Sequence, residues 1–202
     1  MGCKITVSTP KVTTYTVAGD TLKAVWANVE KKGPKDPHDN KKVAALTESK
    51  ITISDKWDAE LRGGKSLTSG QHEHLVGIKN MTITVTGSIK VPKLGSNKLS
   101  KAAKKEWERF SKKLLEHEKE HITVTEKVAN DLAKEIMALV GTGQGANAKD
   151  AFKAGRLDFV KKYQKAFSGK LIEARIAKAS VALDKHSKHG AKHGAVLNLD
   201  VT

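Results

Sequence analysis

Cysteine is almost missing from this chain. Cys3 stands alone, so no internal disulfide can form, and stability in an oxidising setting must come from packing or from a metal. No apolar run approaches the roughly 20 residues of a membrane span. Met1 to Thr9 lacks a basic start and an apolar stretch of leader type, which is equally the expectation for a chain trimmed of its leader. Aromatic residues make up only 4% and proline only four positions. The hydrophobic fraction of 38% is nevertheless too high for wholesale disorder. These shortages leave a globular chain of 202 residues, enough for one substantial core and read here as a single domain over 1–202.

Acidic residues are scarce beside basic ones. Thirty-seven Lys and Arg against 22 Asp and Glu give a formal charge of +15. Such a field attracts polyanions, whether nucleic acid, teichoic acid or an anionic membrane face. Nearly all of it is lysine spread along the chain, whereas readers of nucleic acid concentrate arginine or interleave aromatics with the basic residues. The charge therefore reads as solubility with loose association to anionic cell-surface polymers. The start Met1-Gly-Cys-Lys-Ile-Thr6 fits a myristoylation pattern, but six residues match too easily to carry weight.

Period-two alternation at Ile5 and Val7, Val12 and Thr14, and Ile51 and Ile53 predicts half-buried strands. Between them Leu22, Val25, Trp26 and Val29 take helical spacing, capped by Asp20 or Thr21 and stopped at Lys32-Gly33-Pro34. Lys35 to Lys42 and Arg62 to His74 read as polar loops. Ile78 to Val91 reads as a long strand, bent at Gly87 and ended by Pro92.

After Ser100 the period changes. Ala103, Trp107, Phe110, Leu114, His117, His121, Val124 and Val128 fall at alternating steps of four and three, the inward stripe of one long helix. Gly141-Thr-Gly-Gln-Gly145 breaks it. A second helix follows from about Ala148, with Phe152, Phe159, Tyr163 and Phe167 on one face and a kink at Gly169 before Leu171 to Val181. The tail from Ala195 to Val201 alternates and reads as a further strand. The expected fold class is α+β, a small, mainly antiparallel sheet against a long helical hairpin. Its parts are a strand-rich half over 1–95 with one helix, the hairpin over 100–185, and a His-rich loop with a terminal strand over 186–202.

The sharpest motif is His117-Glu-Lys-Glu-His121. On a helix, two histidines four apart project from one face close enough to share an ion, and Glu118 stands beside it. Zinc chemistry needs those features together: two rigid imidazoles, an open position, and a carboxylate that takes a proton from water without ligating. A Glu- and Lys-rich helix could produce the pattern by accident, but composition gives only about 0.02 expected occurrences per chain. Both rings also fall on the inward stripe, where unpaired polar groups cost about 1 to 3 kcal/mol each and a shared cation would satisfy both.

A closed structural zinc site usually draws on cysteine, so this one is expected to be open and catalytic in form. Its third ligand is to be sought among His38, His72, His74, His186, His189 and His193. Glu126 and Glu135, on the same helix, are poorer candidates because a third ligand normally comes from another element. Asp184 or Glu126 could instead orient a ligand's second nitrogen. His186, His193 or Tyr163 could stabilise a developing oxyanion.

At this point a family resemblance enters. Tyr15-Thr-Val-Ala-Gly19-Asp-Thr21, Gly33-Pro34, the strand ending at Pro92, Trp107-Glu-Arg-Phe110, the His117 to His121 motif and Asp184-x-x-Ser187-x-His189-Gly190 occur in an order that resembles the bacterial family catalogued as domain of unknown function 922. Members of that family look like secreted zinc-dependent proteases. The resemblance implies a zincin-like helix, His117, His121 and His189 as zinc ligands, Glu118 as general base, and a protein or peptide substrate. It also implies a place outside the cell or in its envelope. Leu183 stands where members often carry tyrosine, and Ser187 where they carry threonine. Two other readings compete with a metallopeptidase: a non-catalytic zinc-stabilised binding module, and a basic protein that binds anionic polymers or nucleic acid.

Overall fold

The computed structural model describes residues 2–37 and 40–202. Among them are six strands in one mixed sheet and four α-helices: β1 (Gly2–Val7), β2 (Lys11–Val17), α1 (Leu22–Lys32), β3 (Leu46–Ile53), β4 (Asp58–Ser66), β5 (His72–Leu94), α2 (Lys101–Ala138), β6 (Gly141–Gly145), α3 (Ala148–Ala166) and α4 (Gly169–Ser187). A short 3₁₀ turn, Ala191–His193, follows. The chain divides into two compact units, the first holding the chain up to Ser8, Ile51–Val85 and Glu126–Ala177, the second Thr9–Lys50, Thr86–Thr125 and Lys178–Thr202.

In the first unit β1 runs parallel to β5, Gly2 opposite Asn80 and Val7 opposite Val85, while β4 and β6 pair antiparallel with it. In the second unit β2 is also parallel to β5, from Lys11 opposite Ser88 to Val17 opposite Leu94. The expected mainly antiparallel sheet is thus corrected to a mixed one. Alternating burial shows that a segment is a strand, but its direction depends on how distant segments meet, which local spacing does not encode.

Three local expectations also change. Arg62 to His74 is not one loop: β4 runs through Ser66 with an irregularity between Leu61 and Gly63, and β5 begins at His72. The glycine run after α2 is a strand, β6, whose Gly141, Gly143 and Gly145 lie so close to the α3 backbone that any Cβ would strike it. Alternate glycines here are a strand face pressed on a helix rather than a simple breaker. Pro92 does not end β5, because Tyr15 pairs opposite it and the ladder continues to Leu94.

The core of the second unit positions the site. Thr21 caps α1 by accepting the Ala24 amide at 3.2 Å, so Leu22, Val25 and Val29 point inward. They meet Val17, Ile89 and Val91 of the sheet and Ala103, Trp107, Phe110 and Leu114 of α2. Ser100 caps α2 through the Ala103 amide at 3.1 Å. The predicted stripe holds through His121 and then departs: Thr125 and Ala129 are fully buried, whereas Val124 and Val128 are only partly so. A strict four-three alternation averages 3.5 residues, and over several turns it lags the 3.6-residue helix until the neighbouring position faces inward.

The C-terminal half of the motif region also differs from expectation. Chain after Phe167 forms a separate helix, α4, rather than a kinked continuation, and it extends to Ser187. The tail from Ala195 is not a strand. Arg109 holds it by donating to the carbonyls of Gly194 (2.7 Å) and Val196 (2.5 Å), while Glu106 accepts the Asn198 amide at 2.8 Å.

Candidate metal centre

His117, Glu118 and His121 lie in the middle of α2, and all three are buried, with relative exposures of 3%, 5% and 7%. Three polar, titratable side chains at this depth need partners, because burying such groups unpaired is costly. The last turn of α4 supplies one. Asp184 Oδ1 lies 3.2 Å from His117 Nε2 and 3.3 Å from His121 Nε2. Ligand atoms around a tetrahedral ion with bonds of about 2.0 to 2.1 Å are separated by about 3.3 to 3.4 Å. Asp184 Oδ1 thus stands from each ring nitrogen at the separation of two ligands on one such ion, and the three ligand atoms all lie within 4.8 Å of one another.

The end of α4 is built to present Asp184. Its carbonyl accepts the His189 amide at 2.9 Å, and the buried Ser187 hydroxyl accepts the Gly190 amide at 3.0 Å. Lys188 and His189 both take the left-handed conformation, φ 52°, and Gly190 follows at φ 78°. A Cβ on Gly190 would stand 2.9 Å from His117 Cγ, so only glycine lets this turn close against the imidazole.

Electrostatics divide the acids. Burial pushes the Glu118 carboxyl above its ordinary range, and the neighbouring Asp184 charge adds to that. The Thr47 hydroxyl, 2.7 Å from Glu118 Oε2, and the two histidines oppose the rise without cancelling it. Burial acts on Asp184 in the same upward sense, but hydrogen bonds from His117 and His121 and the charges of His121 and His189 outweigh it and hold that carboxyl far below the usual range. For His121, burial works downward, and the Asp184 hydrogen bond with the charges of Asp184, Glu118 and Glu120 more than reverses it. One acid is therefore held as an anion between the rings, and the other is made more basic.

These groups line a cavity of about 390 Å³. Its lining includes Phe110 and Leu114 of α2, Trp26 of α1, the stretch Lys41 to Thr47, and Ser180, Asp184, His189 and Ala195.

Among the described residues, two sets of three possible ligands come together: His117, His121 and Asp184, and His117, Glu120 and His193. His189, expected as third ligand, lines the cavity with its Nδ1 3.7 Å from Asp184, but it is 75% exposed and belongs to neither set. His186 is exposed in the last turn of α4. His72 and His74 sit on β5 in the first unit, and Tyr163 of α3 is in the same unit, in an aromatic row with Phe159 and Phe167. Glu135 pairs with Arg175 at 2.8 Å. Glu126 is part-buried in the first unit, and His38 lies outside the described residues. Sequence reasoning placed Asp184 beside a ligand, whereas the structure brings it into a set of three possible ligands; it missed Thr47, which stands 71 positions from Glu118 and carries no local motif.

A helix with two inward histidines, a buried acid between them and an aspartate from a second helix defines a candidate metal centre. Residues 12–190 match the family model described as a bacterial protein of unknown function (DUF922), and the chain belongs to that family. No similar curated protein and no similar solved structure was found. No helix among the described residues is long and apolar enough to cross a membrane.

Proposed function

We propose that the chain is a zinc-dependent metallopeptidase in which His117, His121 and Asp184 hold the ion and Glu118 is the general base. The observation that carries this reading is the position of Asp184 Oδ1, 3.2 and 3.3 Å from the two Nε2 atoms, next to a buried glutamate that makes no contact of that kind. The donor set fits zinc chemically: two imidazoles and one carboxylate, with no fourth ligand joining that set among the described residues. A bound zinc ion polarises a carbonyl and lowers the pKa of water toward about 7.

The chain's own residues supply the rest. Glu118, made more basic by burial and fixed by Thr47, takes a proton from water and returns it to the leaving amine. Phe110, Leu114 and Trp26 offer apolar surface for a substrate side chain, and the Lys41 to Thr47 stretch lines the same cavity. His189, at the cavity's exposed margin, is an outer neighbour of Asp184. The substrate is an unfolded protein or peptide, and the lysine-rich composition suits work in the cell envelope or outside it, near anionic polymers.

Cleavage of casein by the wild type and by Glu118→Gln tests the reading. Wild type should cleave and lose activity with a chelator, and Glu118→Gln should keep zinc but cleave at a rate lower by orders of magnitude. Equal cleavage by the two proteins would overturn the role of Glu118, and zinc binding without cleavage by either would instead mark a non-catalytic zinc module.

A further inference from the structure

His117 has two ring nitrogens, and only one is accounted for. Nε2 faces Asp184, while Nδ1 is buried and has no hydrogen-bond partner among the described residues. Such orphaned polar atoms are rare in folded proteins, and each calls for an explanation. The acceptor at hand is Glu120 Oε2, one turn further along α2 and 3.9 Å away, too long for a hydrogen bond but reachable by rotation of a side chain that is 40% exposed. That same oxygen is 3.1 Å from His193 Nδ1. His193 closes the 3₁₀ turn bracketed by Gly190 and Gly194, both left-handed, and the turn is pinned by the Ala195 amide on the Gly190 carbonyl at 3.1 Å and by Arg109 on the Gly194 carbonyl.

We propose that Glu120, held in place by His193, is the positioning residue for His117. The inference rests on the reading of His117 as a zinc ligand. An imidazole that gives its Nε2 lone pair to a cation must carry its proton on Nδ1, and the cation makes that N–H a stronger donor. Glu120 then accepts it, fixing both the tautomer and the plane of the ring. His193 keeps the carboxylate on the His117 side instead of letting it turn to solvent. The His-rich loop thereby acts on the metal through a ligand rather than as one, and Glu120, at the variable position of the motif, becomes part of the centre.

The experiment measures zinc affinity by competition with a chromophoric chelator for wild type, Glu120→Gln, Glu120→Ala and His193→Ala, together with the melting temperature of each zinc-free protein and the visible spectrum of each cobalt-substituted form. Wild type should bind one equivalent. Glu120→Ala should bind about 10- to 100-fold more weakly, with Glu120→Gln and His193→Ala between the two. Zinc-free melting should be unchanged throughout, and the cobalt spectrum of Glu120→Ala should shift as the His117 ring is released. Unchanged affinity in Glu120→Ala, or weakening matched by loss of zinc-free stability, overturns the inference while leaving the zinc site standing. Loss of a second zinc equivalent with the first unaffected also overturns it, assigning Glu120 and His193 to a separate ion. A wild type that binds no zinc removes the metallopeptidase reading and this inference with it.

Discussion

The Thr47 hydroxyl lies 2.7 Å from Glu118 Oε2 and 3.0 Å from the Glu118 carbonyl oxygen, tying the start of β3 to the middle of α2. This contact holds the carboxylate in place and partly offsets the effect of burial on it. Its loss should raise the Glu118 pKa further. A general base works only when deprotonated, so activity is lost as pH falls through that pKa, and a higher pKa moves the loss to higher pH. In Thr47→Val the acid limb of the kcat/KM profile should therefore shift upward, and Thr47→Ser should restore it.

Asp184 and His189 can be told apart by metal binding. Removing a ligand should weaken zinc by more than the roughly 10- to 100-fold that an outer partner is worth. Asp184→Ala should exceed that range and His189→Ala should stay below it, measured by chelator competition. The reverse order would restore His189 as third ligand.

Gly190 is a backbone requirement. With φ 78° and the His117 ring where a Cβ would go, Gly190→Ala combines left-handed strain with a clash. Strain of this kind costs about 1 to 3 kcal/mol. Thermal melting should fall accordingly, and zinc affinity should fall with it because the clash displaces a ligand. A Gly194→Ala control, also at positive φ but with 3.6 Å of room beside Arg109, should weaken melting while affecting zinc less.

Acid sensitivity of the tail follows from Glu106. Its hydrogen bonds to Arg109 come first, followed by a burial effect of opposite sign and a bond from the Asn198 amide, and together they hold its carboxyl below the ordinary 4.5. A folded-state pKa lowered in this way contributes stability that is present above the unfolded value and lost as pH falls through the folded one. Melting temperature of the wild type should therefore drop below about pH 4.5, and Glu106→Gln should be less stable at neutral pH with a shallower acid slope.

Local spacing carried the reading as far as local physics reaches. A cap at Asp20 or Thr21, which the structure assigns to Thr21, the start of α2 at Ser100 and the inward turn of His117 and His121 are all decided within a few residues, and all are visible in the chain as written. The stripe beyond His121 was misplaced by one position because a 3.5-residue count drifts on a 3.6-residue helix. Gly141, Gly143 and Gly145 looked like a breaker because what makes them a strand, the approach of α3, lies outside the segment. The direction of β1 and β2 and the arrival of Asp184, 67 positions from His117, depend on tertiary meeting points that no window of sequence contains.

Anomalous diffraction at the zinc edge from crystals of the zinc-loaded protein addresses the centre most directly. The account predicts a single strong peak bonded by His117 Nε2, His121 Nε2 and Asp184 Oδ1, with Glu118 close by but unbonded. No peak between those three atoms, or a peak seated instead between Glu120 and His193, would contradict it.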